Sequence, residues 1–432
     1  MNLILVTVDC LRPDYLSCYG HNKKTSPTID SLAEGGTMFT QAIINGVGTA
    51  ASFPSMLTST YPLQSGSYSL QGRKTIAEVL QKRGYETAGF NHNAFLSPAF
   101  GYNRGFDYYY NSKPNKWVKR GLNLFGQYQM DSPSLSEEVF GWLTDHHKDQ
   151  FFLWIHYMDV HGPHYIPKGF CKETMGYCIL KAEQEAVNFL LKNSFLEGKD
   201  LSSLKAIYNA EIRYVDDYIK DLLTMLSIVK VLDKTTVIVT ADHGEEFFEH
   251  GKYHSHTQFY DEMLRVPLII NGPDIPIRKT GKQVSLLDLA PTILDILDEG
   301  NEEKFIGTSL LTEKNTEDNL VFTEVDQGYK LGSREGPLLR KDSVRFSSTD
   351  DIWKYIRDSK TYKEEFYNIT EDPSEETNLI NSEDFSAIEV LRFLRRELSK
   401  HVKSEEQQEG PLHLSRKEEK QVKKRLSELG YL

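Results

Sequence analysis

The chain has 432 residues and a formal net charge of −12, long enough for a large core and more than one domain. The acidic balance argues against nucleic acid as a main partner, and no apolar run is long enough to span a bilayer. Four cysteines do not make a disulfide framework. Cys171 and Cys178 are close enough in sequence to pair, but two reduced thiols are the expectation.

The first element, "LILVTVD" (residues 3–9), is a continuous apolar, β-branched run that stops at Asp9. It has no basic region and no small-residue cleavage site, so it reads as a core strand and not as an export signal. A cytoplasmic location is the resulting expectation. Next, "TAASFPSMLTS" (49–59) places Ser52 two residues before a proline, at the expected start of a helix. Ser is a favoured N-cap and Pro is tolerated in the first turn. That accounts for Ser52 as a cap and leaves its hydroxyl open to a second role. A helix-like segment follows at 75–84 ("TIAEVLQKRG"), then a weaker strand at 85–95 ("YETAGFNHNAF").

"FFLWIHYMDVHGPH" (151–164) is a third apolar strand, ending in His156, Asp159, His161 and His164. An amphipathic helix is expected over 211–229. "TTVIVTADHG" (235–244) then repeats the opening grammar and stops at Asp242-His243-Gly244. A further helix is expected over 286–300. Alternation of buried strands and amphipathic helices indicates an α/β fold, with a large mostly parallel sheet sandwiched by helices. In such sheets ligands bind beyond the carboxyl ends of the strands. Asp9, Asp242 and His243 fall there, two acids and an imidazole delivered to one edge, which is a candidate metal site. The first domain is expected over 1–330. A smaller C-terminal α+β subdomain, 331–432, follows with short antiparallel strands ("DSVRFSS", "IWKYIRD") and charged amphipathic helices packed on the body.

Taken together, these segments resemble the sulfatase branch of the alkaline phosphatase superfamily. "NLILVTVDCLRPDYLSCYG" with "TSPTIDSLAEGGTMFTQAI" resembles the family's opening strand, first metal Asp and following helix. "SFPSMLTSTYP" resembles its nucleophile motif, "HYMDVHGPHYIP" its middle histidine motif, and "TADHGEEFFEHG" its second metal motif. "HTQFYDEMLRVPLIINGP", "EEFYNITEDPSEETNL" and the terminal "RLSELGYL" resemble later phrases, so the likeness runs from residue 2 to the end. It implies an alkaline phosphatase-like fold and a metal-dependent sulfuric ester hydrolase acting on an anionic small-molecule or saccharide ester. Ser52 is implied as nucleophile, either as serine or as formylglycine. Asp9, Asp242 and His243 are implied as metal ligands, and His161 and His256 as catalytic histidines at the leaving group. Arg12, Lys252, His254 and His164 are the weaker substrate-binding candidates.

Three departures from the family pattern shape these expectations. Cys10 stands where many members carry a second Asp, and the Asp-His pair at 242–243 adds nitrogen to the donor set. Both favour Mn²⁺, Zn²⁺ or Fe²⁺ over Ca²⁺. Met56 stands where the formylglycine-generating motif has Arg, which counts against conversion of Ser52. An unmodified hydroxyl suits phosphoryl chemistry, because its phosphate ester is readily hydrolysed. The alternative is therefore a phosphodiester, phosphonate or phosphomonoester hydrolase, including a two-metal variant drawing on Asp159, His161 or His164. The third departure is His256 at a place where many sulfatases have Lys. A non-catalytic sulfatase-like binding protein is the remaining alternative, and joint retention of Asp9, Ser52, Asp242 and His243 argues against it. Substrate identity is assigned to the loops at 110–135 and 168–205, and the oligomeric state is left open.

Overall fold

The protein's structure, a computed structural model, describes residues 1–64, 68–111, 132–162, 164, 166, 199–300, 305–312, 320–326 and 344–406. Cys171, Cys178, most of the two loops assigned to substrate choice, and the last basic segment lie outside the described residues.

Eight strands form one sheet: β1 (Asn2–Val8), β2 (Thr37–Ile43), β3 (Glu86–Asn91), β4 (Tyr108–Asn111), β5 (Phe151–Tyr157), β6 (Thr235–Ala241), β7 (Arg265–Asn271) and β8 (Arg278–Ser285). Their spatial order is β4-β3-β5-β1-β6-β7-β2-β8. All pairings are parallel except those of β7, which runs antiparallel to both β6 and β2. β1, β5 and β6 are buried along their whole length, because helices cover both faces of a parallel sheet. That is why these three read as unbroken apolar runs without alternation.

Register decides what meets at the sheet's edge. Val8 of β1 pairs with Tyr157 of β5 on one side and with Ala241 of β6 on the other. The next residues along β1 and β6 are Asp9 and Asp242, so they emerge side by side. Asn91 of β3 pairs with His156, which brings Asn93 to the same edge two residues later.

Helix α1 is Pro27–Glu34, and the later helices follow the expected pattern, with two shifts. The segment at 75–84 forms α3 (Ile76–Lys82), where Thr75 and Glu78 make a capping box. The helix expected over 211–229 spans Lys199–Ile228, twelve residues longer at its start. α2 runs Thr49–Thr58, so it begins three residues before Ser52, with Gly48 as its N-cap at φ +83° and ψ 156°. Pro54 is inside this helix and not in its first turn.

A second sheet, wholly antiparallel, has the order β12-β11-β10-β9 and contains β9 (Val321–Asp326), β10 (Val344–Thr349), β11 (Trp353–Asp358) and β12 (Glu364–Asn368). β9 carries "VFTEV", which the sequence placed at the end of the first domain. It pairs with β10, so the small sheet begins before residue 330. Alternation within a five-residue run cannot say which sheet a strand joins. The C-terminal helix Phe385–Glu406 lays Ala387, Leu391, Leu394 and Leu398 against Val344, Phe346, Tyr355 and Phe366, one apolar stripe at helical spacing. The two sheets are fastened together near the functional edge. Asn45 Nδ2 donates to the Phe322 carbonyl (2.9 Å), and the Glu324 amide donates to the Asn45 carbonyl (2.9 Å).

Candidate active site

A cleft of about 390 Å³ opens beyond the carboxyl ends of β1 and β6. Its lining includes Gly48, Thr49, Asn93, His161, His254 and His256, with Val325 and Asp326 contributed by the second sheet. The N-terminus of α2 forms one wall, and the positive end of a helix dipole favours an anion there.

Asp9 is fully buried and heavily engaged. Its Oδ2 accepts from Asn93 Nδ2 at 3.0 Å and lies 3.4 Å from Thr49 Oγ1 and 3.3 Å from His156 Nε2. Its Oδ1 is 3.4 Å from His243 Nε2. Burial opposes the charge, but His161, His156 and His243 outweigh it and hold the Asp9 carboxyl well below the ordinary range. Asp242 goes the other way: burial, then the neighbouring Asp9 charge, push it up. The Oδ1 of Asp242 accepts the His243 amide at 2.9 Å, while its Oδ2 is buried with no hydrogen-bond partner. Such an orphaned carboxylate oxygen is costly. His243 gives Nδ1 to the Gly244 carbonyl at 2.8 Å, which fixes the tautomer and leaves the Nε2 lone pair facing Asp9 and Asp242. Two carboxylates, one oriented imidazole and the Thr49 hydroxyl therefore converge on one point, and an orphaned oxygen faces the same place. These donors fit a divalent metal ion.

The position of the helix start separates Thr49 from Ser52. Thr49 lies on the cleft with its Oγ1 3.4 Å from both Asp9 Oδ2 and His243 Nε2. Ser52, one turn further in, is fully buried, and its hydroxyl points to Met56 Sδ at 3.7 Å. It is not on the cleft wall.

The remaining expected residues divide. His161, His254 and His256 come together: ring centroids are 4.5 Å apart for His161–His254 and 4.2 Å for His254–His256. Burial and the neighbouring imidazoles bring His161 down to about 4 and hold His256 well below the ordinary range. In the unliganded protein both are thus neutral near pH 7, not cationic. His164 is away from the cleft, with Nδ1 at 2.7 Å from the buried Glu211. Arg12 is committed to Asp14 (2.8 and 3.0 Å), Glu249 (2.8 Å) and the Glu245 carbonyl (2.9 Å). Its guanidinium holds these segments together and does not line the cleft. Lys252 is exposed and reaches Thr257 Oγ1 at 3.4 Å. Asp159 accepts from Ser132 Oγ and joins no metal-competent group among the described residues.

Thr49, Asn93, His156 and Glu245 were not among the expected site residues. Gly48, a permissive residue just before Thr49, was the available signal for the true helix start. Asn93 and His156 follow from strand register, which the sequence does not display.

Fold, cleft and acid–imidazole pocket together define a hydrolase on the alkaline phosphatase-like scaffold. The sulfatase family model matches residues 1–299, and that of the C-terminal region of N-sulphoglucosamine sulphohydrolase matches residues 248–404. The chain belongs to the sulfatase family, a family of sulfuric ester hydrolases. An arylsulfatase of Clostridium perfringens is 24% identical, over 94% of this chain and 95% of its own. Among solved structures, the phosphonate monoester hydrolase of Agrobacterium radiobacter superposes with a TM-score of 0.74, 22% identity, and coverage of 93% of this chain and 95% of its own. A protein solved in complex with its substrate D-glucosamine-2-N,6-O-disulfate gives a TM-score of 0.71 at 16% identity, covering 94% of this chain and 98% of its own. Among the described residues no helix is long and apolar enough to cross a membrane.

Proposed function

We propose that this protein is a metal-dependent hydrolase of sulfate esters borne on anionic small molecules or saccharides, and that Thr49, not Ser52, is its nucleophile. The observation that carries the nucleophile is the contrast in placement: Thr49 Oγ1 stands 3.4 Å from Asp9 and His243 on the cleft, whereas Ser52 is turned inward onto Met56. Sulfate esters as the substrate are supported by the family and by the whole-length arylsulfatase relative.

Asp9, Asp242, His243 and the Thr49 oxygen would hold the divalent ion. When bound, it would supply positive charge that favours the Thr49 alkoxide and the anionic ester. Asp9 accepts the Thr49 proton's hydrogen bond and keeps the hydroxyl oriented. Asn93 holds Asp9 in place by donating to its Oδ2. The amino end of α2 sets the ester oxygens against a positive dipole. Attack by Thr49 Oγ1 on sulfur forms the Oγ1–S bond and breaks the bond to the leaving oxygen, which departs as the free alcohol carrying the proton that Thr49 gives up. His161 and His256, which line the same cleft, would pass the proton to that oxygen as neutral imidazoles. Water then cleaves the threonine ester and restores the hydroxyl.

One observation favours a second reading, phosphoryl or phosphonate esters. Threonine carries a methyl group on Cβ, so its oxidation would give a ketone and not the formylglycine aldehyde. An unmodified hydroxyl releases a phosphoryl group by hydrolysis more readily than a sulfuryl group. Parallel assays with aryl sulfate, aryl phosphate, a phosphodiester and a phosphonate ester separate the two. Multiple turnover on sulfate supports the first reading. A single turnover on sulfate with sustained phosphoryl hydrolysis replaces it with the second.

A further inference from the structure

The C-terminal helix reaches the larger sheet's side of the molecule at one buried point. We infer that His401, near the end of that helix, is a positioning residue: by holding Glu324 it fixes the turn at 46–48 that sets Thr49 on the cleft. The stripe that packs the helix on the small sheet runs Ala387, Leu391, Leu394, Leu398. Helical spacing puts its next member at residue 401. An apolar side chain would continue that packing. An imidazole stands there instead, buried, with its Nε2 2.5 Å from Glu324 Oε1.

The ring has little freedom. It lies flat on Phe322, with centroids 4.4 Å apart and planes 2° from parallel, and Tyr61 meets it edge-on at 4.4 Å. Glu324 is fully buried, and among the described residues His401 is its one ion-pair partner. The other carboxylate oxygen accepts the Leu63 amide at 3.0 Å. A buried carboxylate is tolerated when it is paired and hydrogen-bonded. Yet replacing such a pair by apolar residues is often neutral or stabilising. What the pair supplies here is a fixed place for Glu324.

That place is a junction. The Glu324 amide donates to the Asn45 carbonyl, and its backbone bridges Gly46. Beside it, Thr323 Oγ1 donates to the Ile44 carbonyl at 2.5 Å. Gly46 is wedged against α2: a Cβ there would lie 2.3 Å from the Ala51 carbonyl oxygen and 2.8 Å from Pro62 Cγ. Glu324 thus holds the segment leading into α2 through its backbone and the segment leading out of it through its carboxylate. Thr49 opens that helix, and Val325 and Asp326, next along β9, line the cleft. Drift of about an ångström at a reacting group can cost about a hundredfold in rate. The inference rests on the reading of this cleft as the active site, and not on which ester is cleaved.

The full chain is tested by steady-state kinetics on the four esters, by thermal midpoint, and by amide hydrogen exchange of the peptide covering 46–52. His401→Leu leaves Glu324 unpaired and should lower the midpoint. Adding Glu324→Gln removes the stranded charge and should restore most of the midpoint. In that double variant kcat should still be about 10–100-fold low at little-changed KM, and the peptide should exchange at least about tenfold faster. His401→Gln, whose amide can still donate to Glu324, should keep most of the turnover. Leu394→Val loosens the same helix away from the pair, so its midpoint should fall with kcat unchanged. Normal kcat and exchange in the double variant overturn the proposal. So does a loss in His401→Gln or Leu394→Val as deep as in His401→Leu. A wild type that turns over none of the esters refutes the active-site reading instead, and exchange at 46–52 then decides the positioning role by itself.

Discussion

Lys354 offers a direct test of how the small sheet supports the active-site loop. Its ammonium group is fully buried and bridges Asp261 Oδ1 at 2.5 Å and Glu375 Oε1 at 2.9 Å. Asp261 opens the short helix Asp261–Leu264, and its amide donates to Glu375 Oε2 at 2.6 Å. The triad therefore ties β11 to the end of the segment that carries His254 and His256. Lys354→Met keeps much of the side-chain volume and removes the charge. Breaking a buried pair by deleting one partner costs about 3–5 kcal/mol. Unfolding entropy of about 2.1 cal/mol/K per residue over 432 residues comes to about 0.9 kcal/mol/K, so the midpoint should fall by about 3–6 °C. The sign with pH follows from Glu375. Burial raises its carboxyl to about 7 even though Lys354 pulls it down. Without the lysine, Glu375 escapes part of the penalty by taking a proton, an escape that closes as pH rises. The deficit should thus be smaller near pH 6 than near pH 8, and Glu375→Gln in the Lys354→Met background should recover part of it. Scanning calorimetry of the three proteins at both pH values provides the measurement. A midpoint change below about 1 °C at the higher pH, or one independent of pH, would refute the reasoning.

Three further outcomes are expected. Asp242→Asn should retain the fold but lose metal and at least about a hundredfold in turnover, checked by elemental analysis beside the ester assay. Gly48→Ala forces a side chain into a conformation at φ +83° and ψ 156° that is essentially reserved for glycine, with its Cβ 3.4 Å from His256 Cβ. It should cost about 1–3 kcal/mol in urea titration and lower kcat by displacing Thr49. Burial disfavours the His250 cation, but the Glu262 carboxylate at 2.6 Å and the Glu375 carbonyl outweigh it, so the folded pKa is raised. Its stabilising contribution is full below the ordinary imidazole range and lost as pH rises through the raised value. Thermal midpoints of Glu262→Gln should lack that part of the pH profile.

The strands that end in acids and imidazoles were legible because burial on both faces removes polar residues until the strand stops. Asp9, Asp242 and His243 stood out against that background. Which strands are neighbours was not legible, and neighbour order is what delivers Asn93 and His156 to Asp9. The helix start at Thr49 was misjudged by three residues because Pro54 favours a first-turn position. The structure instead accommodates Pro54 within α2 and starts the helix at a glycine N-cap. That shift of nearly one turn exchanges a cleft-facing hydroxyl for an inward one. Arg12 was a candidate for binding the substrate; the carboxylates of Asp14 and Glu249, the second of them 237 residues distant, occupy it. Contacts of that range leave no local signature.

The identity of the nucleophile is tested most directly by trapping the covalent intermediate. Protein mixed briefly with a fast aryl ester is quenched in acid, digested, and the peptide spanning Thr49 and Ser52 is fragmented by mass spectrometry. A sulfuryl or phosphoryl adduct is expected on Thr49, with an unmodified Ser52, loss of the adduct in Thr49→Ala, and its retention in Ser52→Ala. An adduct on Ser52, or formylglycine at that position in an active preparation, would contradict Thr49 as the nucleophile.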